Sequence, residues 1–226
     1  MKKIIVSVLL VAVIASACVF ADEFKFKDLF ESVQVEGGFD LFTAKSKNGT
    51  ERFNNSAAGV GFDVALDLDL HSIPRFLADG WYARIDFGMF FSNSGTVTDV
   101  KIKKSDDNFK NMLGYKAHVA IMRKVDFNIP VDICFGAGYA HNMLLIVNNV
   151  DSRYTINSWG IALFATGDYK FADHFAATIT INGDFTFLTK FQIKNIAESG
   201  WISIGRQTAA NFGFDLGIKA GVKYIF

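Results

Sequence analysis

The side chains of this sequence that could carry chemistry are set two residues apart. Asp63, Asp67 and Asp69 interleave with Val60, Phe62, Val64, Leu66, Leu68 and Leu70. Arg84 and Asp86 do the same among Trp81, Ala83, Ile85, Phe87, Met89 and Phe91, and Lys116 and His118 among Tyr115, Ala117, Val119 and Ile121. Glu36, Asp40, Asp132, Asp168, Asp184, Asp215, Lys219 and Lys223 extend the pattern to both ends of the chain. Gathered on one face, such groups would either pair into a polar filling or line a path for ions or small solutes, because an isolated charge in a narrow dry interior is costly. Acids outnumber bases in this set, so a path would prefer cations.

Other chemistries find less support. Acyl or lipid processing needs a nucleophile, a base and an orienting acid. The four histidines are His71, His118, His141 and His174, and no Gly-x-Ser-x-Gly elbow accompanies them. Only His141 falls where a serine, Ser158, is expected across a strand pair. The two cysteines, Cys18 and Cys134, form no CxxC, and no Cys/His metal spacing occurs. Gly136-Ala137-Gly138 precedes no helix, so it is not a phosphate loop. The chain is therefore read as a non-enzyme, with no catalytic residue, metal or cofactor.

Period-two spacing assigns these residues to strands, since a helix would spread the aspartates around its circumference. Eight segments carry the alternation: Ser32–Thr43, Val60–Leu70, Trp81–Ser92, Gly114–Ile121, Val131–Tyr139, Trp159–Thr166, Phe175–Phe185 and Phe212–Phe226. Polar connections near Ser46–Ser56, Asn93–Asn111, Asn148–Asn157 and Lys190–Gln207 alternate with shorter ones at Ser72–Gly80, Val125–Ile129 and Phe171–His174. The expectation is an all-β, eight-stranded antiparallel up-and-down barrel over 32–226, long loops at one end and short turns at the other.

A soluble barrel alternates as well, but turns a Lys- and Glu-rich face to water. Here the polar face is Gly, Ala, Asp, Thr and Asn with a few bases, which suits a crowded interior. The other face is long, aromatic and nearly uncharged, as lipid requires; a Lys or Arg at mid-membrane costs about 2–4 kcal/mol. The 226 residues include 24 Phe and 19 Gly against two Pro, and 23 basic residues balance 23 acidic ones. That balance gives no reason to expect nucleic acid.

The chain begins as a secretory signal. Lys2 and Lys3 precede an apolar run over Ile4–Ala15, too short to span a bilayer as a helix, and Val19-Phe20-Ala21 offers a cleavage site. Residues 1–21 are read as the signal and 22–31 as a short periplasmic segment. Ala15-Ser16-Ala17-Cys18 supports a competing reading, in which Cys18 is lipidated.

The last strand ends in Lys219-x-Gly221-x-x-Tyr224-x-Phe226, which resembles the C-terminal assembly signal of bacterial outer-membrane proteins. The stretches PVDICFGAGYA (130–140) and GDYKFADHFAATITINGDF (167–185), with that strand, resemble the small OmpW/OmpA-type eight-stranded barrels. The Phe-rich, Pro-poor style is similar to the small barrels of spirochaetes such as treponemes. This resemblance implies export to the bacterial outer membrane, outer-membrane lipid and the barrel-assembly machinery as partners, and a monomer. It implies one of two roles: a structural or surface-binding envelope protein with a filled lumen, or a narrow pore or OmpW-like transporter for small or hydrophobic solutes. A lipid-modifying barrel enzyme is the third reading. An extracellular ligand would meet the long loops, where Lys101, Lys103, Lys104 and Lys110 mix with Asp99, Asp106 and Asp107.

Overall fold

The computed structural model describes residues 29–48, 51–71, 79–97, 99–103, 109–148, 152–195, 202–204 and 212–226. The expected signal 1–21, Cys18 and residues 22–28 of the N-terminal segment lie outside them, as do 72–78 and residues 104–108 with Lys104, Asp106 and Asp107.

The described residues form eleven strands: β1 (Phe30–Asn48), β2 (Glu51–Asp69), β3 (Trp81–Ser92), β4 (Ser94–Val97), β5 (Val100–Lys103), β6 (Phe109–Val125), β7 (Asp132–Asn148), β8 (Ser152–Ala172), β9 (Phe175–Asn195), β10 (Ile202–Ile204) and β11 (Gly213–Ile225). Eight of them, all but β4, β5 and β10, pair antiparallel in chain order. β11 returns to β1, from Ser32 opposite Ile225 to Ala44 opposite Gly213, and closes the barrel. Each expected segment becomes one barrel strand. The turn into β3 uses Gly80 at φ 82, a conformation that L side chains rarely adopt.

The strands run further than the alternation predicts. β8 and β9 have 21 residues each, and β1 and β2 have 19. Two segments expected to be long loops are mostly strand: β1 pairs with β2 as far as Asn48 opposite Glu51, and β7 with β8 as far as Val147 opposite Arg153. The expected loop Asn93–Asn111 contains the β4–β5 hairpin, which docks on β2 through Ser56 opposite Thr96. Lys190–Gln207 contains the end of β9 and its partner β10. A tilted strand crosses hydrocarbon in about 9–11 residues, so the longest strands are roughly twice that length. Their hairpins stand well beyond one rim, here termed the distal end. Both described chain ends lie at the opposite, terminal end.

The outer wall follows from this. Val60, Phe87, Val119, Ile161, Ile179 and Phe185 are each at least 50 % exposed and belong to a continuous apolar belt. Lys45, Asn54, Ser94, Asn111 and Arg153 are exposed near the distal end. Inside, one apolar cluster fills the distal half: Phe42, Phe90, Met112, Leu144, Ile156 and Phe191 with their neighbours. A second, including Tyr82, Met122, Cys134 and Phe164, lines the β3–β8 side of the other half. The remaining interior there is charged.

Candidate functional site

The strand register brings the interior charges together in three linked groups. Asp67 of β2 stands directly opposite Arg84 of β3. Arg84 donates from Nε to Asp67 Oδ1 at 2.8 Å and from Nη2 to Oδ2 at 3.0 Å, the bidentate geometry that makes Arg–carboxylate pairs strong. Nη2 also reaches Gln34 Oε1 at 3.0 Å, and Gln34 passes a hydrogen bond to Glu36 Oε2 at 3.1 Å. Ser32 Oγ donates to Asp67 at 2.9 Å, and Lys223 Nζ lies 3.4 Å from Asp67 and 2.5 Å from Asp168.

In the second group Asp40 sits between Lys116, at 2.8 Å, and Lys219, at 3.1 Å, while Lys219 also pairs with Asp63. Gly88 faces Asp63 across β2 and β3, and its missing side chain leaves the room that the Asp63 carboxylate occupies.

The third group centres on His118. Its Nδ1 lies 2.9 Å from Asp86 Oδ1 and its Nε2 3.0 Å from Asp184 Oδ2, contacts that an imidazolium satisfies together when both carboxylates are ionised. Asn142 Nδ2 donates to Asp184 at 2.8 Å and also to Asp215, whose other oxygen accepts the Thr43 backbone N–H at 2.7 Å. The edge of the Phe164 ring meets His118 at 5.3 Å between centroids.

Glu36, Asp40, Asp63, Asp67, Arg84, Asp86, Lys116, His118, Asp168, Asp184, Asp215 and Lys219 are thus all buried inside the barrel. Asp132 is not among them. As the first residue of β7 it lies at the terminal rim, 52 % exposed, and pairs with Lys124 at 2.6 Å. Beneath that rim a cavity of about 50 Å³ is lined by Ser32, Asp67, Tyr82, Cys134, Asp168 and Lys223, with others.

The serine–histidine pairing is overturned. His141 faces Trp159 across β7 and β8 and stacks on its ring at 5.3 Å, whereas Ser158 faces Asn142. Neighbouring positions of a strand point to opposite faces, so Ser158 is buried inside, against Thr189 at 3.5 Å, and His141 is not. Among the described residues no group of three or more His, Cys, Asp or Glu side chains is placed to hold a metal.

The terminal strand is fastened at its last residues. Phe226 N–H donates to the Glu31 carbonyl at 3.1 Å and Ile225 N–H to the His174 carbonyl at 2.9 Å. Tyr224 and Phe226 meet edge to face at 5.3 Å, and rings continue on both sides, through Phe175 at 5.3 Å from Tyr224 and Phe30 at 6.0 Å from Phe226. A Cβ on Gly221 would run into the Val35 carbonyl of β1, so this position closes the seam only as glycine.

Sequence reasoning missed the distal apolar filling. Its signal is Met143-Leu144-Leu145-Ile146-Val147, a continuous apolar run of the kind that marks a strand covered on both faces. Alternation puts Phe90 on the inward face, but its part in this filling depends on Gly114, over which its ring lies.

No family model matches the chain, and no curated protein sequence does. Solved structures do. A major outer membrane protein from Thermus thermophilus superposes with a TM-score of 0.53 at 13 % identity, over 84 % of this chain and 99 % of that one. The outer membrane protein OprG from Pseudomonas aeruginosa gives 0.53 at 13 % identity, over 88 % and 97 %. At such identities the likeness is one of fold: a closed, antiparallel, all-β barrel of eight strands.

Proposed function

We propose that the chain is a bacterial outer-membrane protein, exported by a cleaved signal, whose closed barrel serves as a structural or surface-binding element of the envelope rather than as a pore or an enzyme. The observation that carries this reading is the interior: charged side chains and a second apolar cluster fill one half, and apolar side chains the other. In the outer membrane the apolar belt would meet lipid, the terminal end with its short turns would face the periplasm, and the distal hairpins would stand outside, where a ligand would reach them. The ring cluster at Tyr224 and Phe226 would lie at the periplasmic interface, where aromatic girdles sit. Gly221, Tyr224 and Phe226 would be the residues read by the assembly machinery, and a chain lacking Phe226 is expected to lose folded, heat-modifiable barrel.

Planar-bilayer recording on the refolded mature chain tests the sealed interior. The expected result is no conductance steps. Steps that grow with salt concentration would overturn this reading in favour of a narrow pore.

A further inference from the structure

The interior charges do not balance. Eight buried carboxylates are present among the described residues: Glu36, Asp40, Asp63, Asp67, Asp86, Asp168, Asp184 and Asp215. Against them stand four buried bases, Arg84, Lys116, Lys219 and Lys223, and the histidine His118 held between two carboxylates. Even with His118 charged, the carboxylates are in excess. In a closed interior of low dielectric such an excess is strongly unfavourable unless something positive joins it.

Part of the shortfall falls on Glu36; Asp215, the other carboxylate that meets no base, is held by Asn142 and the Thr43 N–H. Every base is already engaged: Arg84 by Asp67 and Gln34, Lys223 by Asp168 and Asp67, Lys219 by Asp40 and Asp63, Lys116 by Asp40. Glu36, 1 % exposed, contacts no base directly; its one hydrogen bond comes from Gln34 to Oε2, and Oε1 has no partner. The Thr180 hydroxyl faces this carboxylate, yet neither Thr180 Oγ1 nor Glu36 Oε1 completes a hydrogen bond. Across the sheet, Asp168, Thr178, Gly221 and Glu36 stand in one register row, and Thr166, Thr180 and Lys219 stand in the next. Gly221 puts no side chain between Thr178 and Glu36. The hydroxyls of Thr166 and Thr178 and Asp168 Oδ1 are likewise buried without partners. Asp168 also lines the cavity beneath the terminal rim, so the row begins where the interior meets solvent.

We infer that this row is a binding site for a small monovalent cation, entered from the terminal end and centred on Glu36 Oε1, with the hydroxyls of Thr178 and Thr180 as further ligands. One carboxylate oxygen and several neutral oxygens form a hard donor set suited to an alkali ion. A divalent ion would call for more carboxylates in one place. The apolar filling beyond Phe42 and Phe90 makes the site a dead end, so binding stabilises the barrel without transport. The inference stands whether or not the barrel conducts, because it concerns occupancy rather than flux.

The test is thermal unfolding of the refolded mature chain in uncharged micelles at neutral pH, in NaCl, KCl or choline chloride at equal ionic strength. The expected result is a midpoint several degrees higher in sodium or potassium than in choline, saturating with concentration, together with broadening of the sodium NMR line. Glu36→Gln should abolish the difference while unfolding no lower than the parent in choline, and Asp132→Asn at the rim should retain it. Should Glu36→Gln fail to fold, Thr178→Val should raise the concentration needed for half the effect. Equal midpoints in all three salts would overturn the inference and assign the missing positive charge to protons. So would an ion-specific shift that survives Glu36→Gln or is unmoved by Thr178→Val.

Discussion

The two halves of the barrel are built on opposite rules from the same strands. Along β1 the inward residues Gln34, Glu36 and Asp40 give way to Phe42 and Ala44, while the outward Val35 and Phe39 give way to Thr43 and Lys45. Along β6 the inward His118 and Lys116 give way to Gly114 and Met112, and the outward Val119 to Asn111. The parity of the strand is unchanged; the environment of its outer face is what differs. Where an apolar medium would cover the outside, polarity is placed within, and each polar group must find a partner there. Where water would cover the outside, the interior reverts to the apolar filling of a soluble fold. The first half gains specificity from paired charges, and the second gains stability from burial.

This contrast can be broken most severely in the charged half. Asp67→Ala would leave Arg84, 0 % exposed, without its bidentate counter-charge and remove partners from Ser32 and Lys223. Removing one member of a buried pair costs about 3–5 kcal/mol, read as a lowered urea midpoint in vesicles. Replacing both, Asp67→Leu with Arg84→Met, should recover a large part of that loss; a double variant as unstable as Asp67→Ala would count against the pair as the cause. In the distal half Leu144→Ala opens a cavity among Phe42, Phe90 and Ile156 and should cost about 3 kcal/mol. Because Leu144 is wholly buried inside the barrel, away from lipid, the loss should be alike in thin and thick bilayers. A marked dependence on lipid would place the boundary between the halves elsewhere.

The same contrast explains what can be read from the sequence. Eight strands, their facing and the inward position of Asp67, Arg84 and His118 follow from period-two alternation alone. The pairings do not, since Lys219 with Asp63 and His118 with Asp184 join residues distant along the chain, and closure of β11 on β1 sets them. Strand ends escape the alternation because apolar outward residues trace it, and that trace stops where the outer face turns polar. On β9 parity itself fails. Thr186 faces Gly160 and Leu188 faces Trp159, so Phe187 is an extra residue. Beyond this bulge the buried positions become Thr189 and Phe191.

A smaller effect locates the boundary on a single strand. Val119 and Asn111 both face outward on β6, eight residues apart, a separation of roughly 20 Å along the axis for a tilted strand. Val119 is 52 % exposed between Ile85 and Tyr139. Val119→Lys would place an ammonium against hydrocarbon at about 2–3 kcal/mol, whereas Asn111→Lys, past the belt, should cost about 0–1 kcal/mol. Unfolding midpoints measured in vesicles should separate the two variants, and in micelles the gap should narrow, because detergent yields more readily around a charge. If both lysines cost alike in vesicles, hydrocarbon extends over the distal strands, and their apolar interior cannot be explained by water outside. If neither has an effect, the belt does not meet lipid at all, and the inversion along β1 and β6 must arise from packing alone.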